Sequence, residues 1–294
     1  MDKESTGILL VLVSAISFGL MPIFARFAYS DGVGVDELLF VRFLLAFLVI
    51  GAILAVRRQL IIPLVRDILV LLVLGGLLYF LDSTFYFTSL LYSPVAIVEL
   101  VLYTYPALVT VGAFALGWGR ISRRLMAAIV IAMLGLILVA NPFGNPIGFG
   151  VLLALGSSVA YTLYILSGTK VLRRVRGDVG AFYVMGGASV SFGLTGGLAR
   201  SIHLNWSLEG WFWVGTITLL CTVVAVTAFF IGISRIGPSR AALISLVEPV
   251  ASVIVATVIF GNALNVSQWV GGALILTATA LTALYRKPEP RTLS

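Results

Sequence analysis

"GILLVLVS" (residues 7–14) returns 143 residues later as "GVLLALGS" (150–157), with five of eight residues identical. Each copy lies in an apolar run of about 20 residues, long enough to cross a hydrocarbon core roughly 30 Å thick at 1.5 Å rise per helical residue. The offset of 143 also pairs Pro106 with Pro249 and Phe18 with Tyr161. One residue more pairs Pro94 with Pro238. A chain that repeats oily spans in two halves is read as an integral membrane protein built from helices.

Composition agrees. The 294 residues are 60% hydrophobic and 11% charged, against about a quarter charged in soluble domains. The net charge is +7, but most basic residues fall in short gaps between apolar runs. That placement suits membrane topology and anionic lipid, and nucleic acid is not expected as a partner. Cys221 is the sole cysteine and His203 the sole histidine. No disulfide framework, metal cluster or cofactor is therefore expected. The first apolar run, from Gly7 to Phe24, exceeds a typical signal-peptide core and lacks a convincing cleavage site, so it reads as a retained span.

Hydropathy gives ten spans: 7–29, 37–56, 68–91, 94–117, 122–140, 147–170, 179–199, 210–234, 238–260 and 266–285. The gaps are short, and several carry turn residues, as in Asn141-Pro142-Phe143-Gly144-Asn145-Pro146. The tail from Arg286 to Ser294 holds two prolines and is expected to be disordered. With the N-terminus cytoplasmic, 16 of the 19 Lys and Arg fall on the cytoplasmic side, leaving Arg26, Arg42 and Arg200. This asymmetry predicts that both termini are cytoplasmic. Residues 1–143 and 144–286 then hold five spans each, with 287–294 as a cytoplasmic tail. An odd number of spans inverts the second half relative to the first. Inverted repeats are a hallmark of alternating-access transporters.

Two longer stretches narrow the reading: "SPVAIVELVLYTYPALVTVGAFALGWGRIS" closes the first half and "GPSRAALISLVEPVASVIVATVIFGNALN" the second. With Tyr105-Pro106 and Leu246-Val247-Glu248-Pro249-Val250, they resemble the drug/metabolite transporter superfamily, EamA type, over nearly the whole chain. Members often carry Gly-Glu-Arg in the following turns. Here those turns read Gly117-Trp118-Gly119-Arg120 and Gly261-Asn262-Ala263, without the acid. Within the superfamily the sequence looks most like bacterial exporters of aromatic and other neutral amino acids, the YddG-like group. The resemblance implies ten transmembrane helices around a central substrate cavity in the cytoplasmic membrane.

Three acids lie inside spans: Asp82, Glu99 and Glu248. An ionised group at the centre of a membrane helix costs about 2.5–3.5 kcal/mol on insertion scales, so such residues usually face a wet cavity or a partner. Helical spacing puts Tyr79 and Tyr86 on the Asp82 face, with Phe80, Leu81 and Phe87 toward lipid or packing. Glu99 and Tyr103 share a face on the next span. The two acids are expected to line one outward-facing vestibule. Rings can stack on an aromatic side chain or hold an ammonium, and a carboxylate can pair with that ammonium. Phe18 and Tyr161 can approach the cavity from matched helices, although packing is the stronger reading for them. Arg26 or Arg42 can supply a counterpart for a substrate carboxylate, with snorkelling to headgroups as the competing reading. Pro22, Pro106 and Pro249, the last preceded by Glu248, are expected to shape hinges, because proline removes a helical hydrogen bond. Glycines crowd the seventh span, and Gly193 and Gly197 have the spacing of a close helix contact.

No phosphate-binding loop, nucleophile elbow or zinc-protease helix is present, which argues against both an ATP-driven pump and an enzyme. The sequence therefore points to a secondary transporter that exports aromatic and other neutral amino acids. A broad drug or metabolite exporter and a facilitative channel are the alternatives.

Overall fold

The computed structural model describes residues 3–59, 62–117, 123–140, 148–171, 174–199, 202–236, 241, 244–261 and 264–285. The loop at 141–146, Pro238, Arg200, most of the two expected family turns and the tail from 286 lie outside them. Among the described residues the chain is all-α, with ten helices. They are α1 (Lys3–Ser30), α2 (Val35–Val56), α3 (Val65–Tyr92), α4 (Val95–Ala115), α5 (Arg123–Ala140), α6 (Phe149–Val171) and α7 (Gly177–Ala199). Next come α8 (Leu208–Thr218, continuing through Leu219–Val224 and Ala225–Ile236), α9 (Val247–Phe260) and α10 (Val266–Tyr285). Seven of these are long and apolar enough to cross a membrane, and α5, α9 and α10 contain shorter apolar helices. Leu48, Leu69, Leu152, Val258 and Val266 stand more than half exposed on the outside of the bundle. In water such a surface would drive aggregation, whereas in lipid it is solvated. The start of the expected ninth span, 238–240, lies outside the described residues; Ala241 and Ile244 are helical, and α9 follows the turn at Ser245–Leu246.

The regular helices are interrupted where the sequence supplies a reason. In α4 the segments Val95–Leu102 and Tyr105–Ala115 meet at Tyr103–Thr104, with Pro106 in the first turn of the second segment. The Pro106 nitrogen has no hydrogen to donate, so the preceding turn opens. A turn at Ser245–Leu246 likewise precedes α9, with Pro249 in its first turn. Pro22 lies inside α1, which is helical from end to end. Gly117 and Gly261 close the two proline-led helices with positive φ of 72° and 66°. That left-handed conformation suits a residue without Cβ and ends each helix.

Two helices widen into single π segments: Leu74–Tyr79 in α3 and Leu219–Val224 in α8. Such segments tend to mark functional sites. The first contains Gly75 and Gly76, which let α3 lie backbone to backbone on α7. A Cβ at Gly75 would overlap the Val184 carbonyl oxygen, and one at Gly187 would overlap the Leu72 carbonyl oxygen. The Ser191 hydroxyl donates to the Gly76 carbonyl at 2.7 Å, satisfying an acceptor beside the widened turn. The close contact expected at Gly193 and Gly197 is made at Gly193 but not at Gly197. Gly193 faces the Phe40 ring, and a Cβ at Gly197 would meet nothing within 4 Å. Spacing alone identified the right helix but not the face that packs on α3.

Close approaches also join the two halves. Gly7 of α1 packs on Gly232 of α8, while Gly150 of α6 packs on Ser89 of α3 and on Ser93 just beyond its end. Gly135 of α5 and Gly271 of α10 face each other, each 2.6–2.7 Å from the other's carbonyl oxygen once a Cβ is built.

Cross-helix contacts define two ends of the bundle. At the Lys3 end, Arg174 pairs with buried Asp67 at 3.1 Å, and Arg176 donates to Gln59 at 3.2 Å. At the Ser30 end, the Glu37 carboxylate accepts from the Gly34 nitrogen at 3.0 Å, the His203 nitrogen at 2.5 Å and Trp206 Nε1 at 2.8 Å. It thereby fastens the α7–α8 connection to the start of α2. Glu37→Ala removes three hydrogen bonds to a buried carboxylate and is expected to cost roughly 1–3 kcal/mol. A fall in the thermal midpoint of the detergent-purified protein, with its oligomeric profile unchanged, is the result to look for.

Candidate functional site

Between the halves lies a cavity of about 560 Å³, within the ~300–1,000 Å³ range of ligand pockets. Asp82, Tyr79, Tyr86, Glu99, Tyr103, Phe18, Tyr161, Arg42, Pro106 and Glu248 all line it. Arg26, Pro22 and Pro249 do not.

Asp82 is 9% exposed and accepts a hydrogen bond from the Ser157 hydroxyl at 2.6 Å. Ser157 is the last residue of the repeated octapeptide, so α6 presents its hydroxyl to the acid of α3. Glu99 is 2% exposed and accepts from the Tyr86 hydroxyl. Glu248 is an electrostatic neighbour of Glu99, and the Tyr103 hydroxyl is directed at its carboxyl. The two carboxyls arrive from α4 and α9, each beside the turn that precedes its proline.

A run of tyrosines forms one wall. Ring centroids are 5.3 Å apart for Tyr79–Tyr164, 5.9 Å for Tyr161–Tyr164, 4.9 Å for Tyr105–Tyr161 and 5.9 Å for Tyr103–Tyr105. Such spacings allow tilted and edge contacts between rings, and they leave faces available for a flat or cationic ligand. The sequence reading missed Tyr105 and Tyr164. Tyr164 follows Tyr161 at i+3, and that spacing could have flagged it.

Phe87 was expected to face lipid or packing, yet it is buried and lines the cavity. Its ring lies 5.3 Å from the Arg42 guanidinium carbon, and the Phe43 ring lies 5.0 Å from it. Arg42 Nε donates to Thr222 Oγ1 at 2.9 Å, and Tyr79 also engages Arg42. Tyr79 and Thr222 belong to the two π segments. Arg42 is therefore a built part of the cavity wall at 3% exposure and does not snorkel to headgroups.

Arg26 has a different place. Its Nη1 donates to the Leu90 carbonyl at 2.8 Å, and its guanidinium carbon sits 5.8 Å from the Phe260 ring centroid. Tyr29 donates to the Phe87 carbonyl at 3.0 Å, while Phe27 stacks on Trp213 at 4.8 Å. These contacts tie α1 to α3, α8 and α9 across the Ser30 end. The lining runs the other way, reaching Thr110 on α4, Ile165 on α6, Ala181 on α7 and Thr279 on α10. The sequence suggested a vestibule toward the Ser30 end, but that end is crossed by the α1 contacts.

Comparison with known proteins adds the following. The profile of the EamA-like transporter family matches residues 5–141 and 148–284. An uncharacterized transporter of Archaeoglobus fulgidus is 24% identical over 202 residues, covering 69% of this chain and 72% of the relative. The uncharacterized inner membrane transporter YedA of Escherichia coli K12 is 26% identical over 183 residues, 60% of this chain and 59% of its own length. The uncharacterized transporter YcbK of Bacillus subtilis is 24% identical over 308 residues, 97% of this chain and 95% of the relative. A solved crystal structure aligns over 96% of this chain and 97% of its own with a TM-score of 0.65 at 20% identity, a likeness of fold.

Proposed function

We propose, from the premise that this chain belongs to the EamA-like transporter family, a carrier that exports small amine-bearing molecules through the cavity between its halves. Family membership makes the protein a multi-pass secondary transporter of small molecules and not an enzyme. The observation that carries the substrate reading is the cavity lining: three carboxyls set among six tyrosines. Carboxylates attract an ammonium, and ring faces hold apolar or aromatic bodies. Six tyrosines in the cavity lining can receive rings and apolar bodies of varied shape, which favours a broad range of metabolites and drugs. Export of aromatic and other neutral amino acids is the second reading, favoured by Arg42 in the same cavity wall.

The working cycle we infer is alternating access by two inverted five-helix repeats, 1–143 and 144–286, followed by a tail at 287–294. Two profile matches starting at 5 and 148 support it, since 148 − 5 = 143 is the offset of the repeated octapeptide. The packing of Gly7 on Gly232 and of Gly150 on Ser89 supports it too, because 7 + 143 = 150 and 89 + 143 = 232. Pro22, Pro106 and Pro249 are the proposed hinge positions, and the α1 contacts at the Ser30 end form the closed gate.

The proposed setting is a bacterial cytoplasmic membrane, with the Lys3 end and both termini in the cytoplasm. A reporter active only in the cytoplasm, fused after residue 294, is expected to be active. A fusion active only in the periplasm is expected to be silent, and the reverse pattern contradicts the orientation. The functional reading itself is tested by uptake into proteoliposomes of a panel of labelled amines, amino acids and lipophilic cations. No transport of any member would overturn it.

A further inference from the structure

The cavity contains a buried cation with no ion-pair partner. Arg42 is 3% exposed, and among the described residues no carboxylate stands within ion-pair distance of it. Asp82 acts on Arg42 through space only, and the acids of the cavity and of the Arg42 helix have hydrogen bonds of their own. Asp82 accepts from Ser157, Glu99 from Tyr86, and Glu37, on the Arg42 helix, from Gly34, His203 and Trp206. The negative charge that acts on it is that of Asp82, which stands beyond ion-pair distance, and a buried guanidinium without a direct ion pair keeps part of its desolvation cost. One hydrogen bond to Thr222 and two flanking rings offset part of that.

The site around it is nonetheless carefully built. Thr222 and Tyr79 reach Arg42 from the π segments of α8 and α3, one from each half of the chain. The Phe43 and Phe87 rings lie 5.0 and 5.3 Å from the guanidinium carbon. A positioned guanidinium is the side chain best suited to take a carboxylate or phosphate through two parallel hydrogen bonds. The three carboxyls of the same cavity disfavour a doubly charged phosphate.

We infer that Arg42 is the receptor for a single carboxylate on the transported molecule, held in place by Thr222 and Tyr79. This rests on the reading that the cavity binds small molecules, and it narrows the substrate class to amphoteric compounds. The amine lies toward Asp82, with Glu99 and Glu248 adding negative charge to the same cavity, and the carboxylate lies at Arg42. Tyr86 donates to Glu99 and lines the same cavity as Arg42 and Glu248. A molecule with both charges satisfies the cavity, whereas its decarboxylated amine leaves Arg42 unpaired.

The test uses matched pairs in proteoliposomes containing the full-length protein: phenylalanine with phenethylamine, tryptophan with tryptamine, and leucine with isopentylamine. In the wild type the amino acid of at least one pair is expected to have an apparent affinity about tenfold or more above its amine, the worth of one charge-assisted contact. Arg42→Gln is expected to erase that preference by weakening the amino acid, with the amine changed less than about twofold, and Arg42→Lys to restore part of it. Amines taken as well as or better than their amino acids by the wild type overturn the inference even if the variants fail to fold. An equal loss for both members of each pair in folded Arg42→Gln also overturns it, since that marks a structural role. Absence of any transport would instead sink the broader functional proposal.

Discussion

Asp82→Asn is expected to lower the transport rate of the best substrate at least about tenfold, because a charge-assisted contact to an ammonium is worth roughly 1.5–3 kcal/mol. The asparagine side chain has nearly the same shape, and its carbonyl oxygen can still accept from the Ser157 hydroxyl that now donates to Oδ1. Folding is therefore expected to survive: the variant should elute as the wild type does and unfold within a few degrees of it. Ser157→Ala provides the contrast. It removes a hydrogen bond but leaves the carboxylate, so a milder loss is expected. Wild-type rates in Asp82→Asn would remove Asp82 from the working cavity.

The second large effect is structural. Gly187→Ala and Gly75→Ala each drive a methyl group into a backbone carbonyl oxygen of the facing helix, Leu72 in the first case and Val184 in the second. Backbone cannot rotate aside as a side chain can, so α3 and α7 must separate. Overpacking of this kind costs typically ~1–3 kcal/mol and more where backbone must shift. Separation would also disturb the Leu74–Tyr79 turn, which orients Tyr79 toward Arg42. Both variants are expected to show a thermal midpoint lowered by several degrees, with loss of transport. Gly197→Ala, on the same helix with open space around it, is expected to behave as the wild type. Equal stability across the three variants would contradict the packing described for α3 and α7.

These expectations show what was legible in the sequence. Seven of the ten helices are long and apolar enough to span, as the hydropathy indicated, because a bilayer core fixes how long an apolar helix must be. The shared face of Tyr79, Asp82 and Tyr86 follows from helical spacing, and all three line the cavity. What the sequence hid depends on contacts between distant segments. Nothing local marks Ser157 as the partner of Asp82 or Thr222 as the partner of Arg42, separated by 75 and 180 residues. The π segments carry no sequence signature beyond Gly75-Gly76 in one of them. Arg26 and Arg42 look alike along the chain, yet one holds α1 to the end of α3 and the other enters the cavity wall. Only the rotation of each helix against its neighbours distinguishes them.

The contacts of α1 at the Ser30 end bear on the cycle as well. Two of them end on main-chain carbonyls of α3, Phe87 and Leu90. Carbonyl acceptors can be released and remade without a partner side chain changing charge, which suits a gate that opens and closes repeatedly. The same α3 turn places the Phe87 ring against Arg42. A movement of α3 that frees Tyr29 would then also shift the Phe87 ring beside Arg42.

The most direct test of the central claim, that a small molecule binds between the halves and is carried across, is counterflow in proteoliposomes. Vesicles are preloaded with unlabelled substrate, and entry of labelled substrate is followed for the wild type and Asp82→Asn. The account predicts saturable entry, accelerated by the preload, in the wild type and nearly abolished in the variant. Entry that does not saturate, or that ignores both the preload and residue 82, would contradict it.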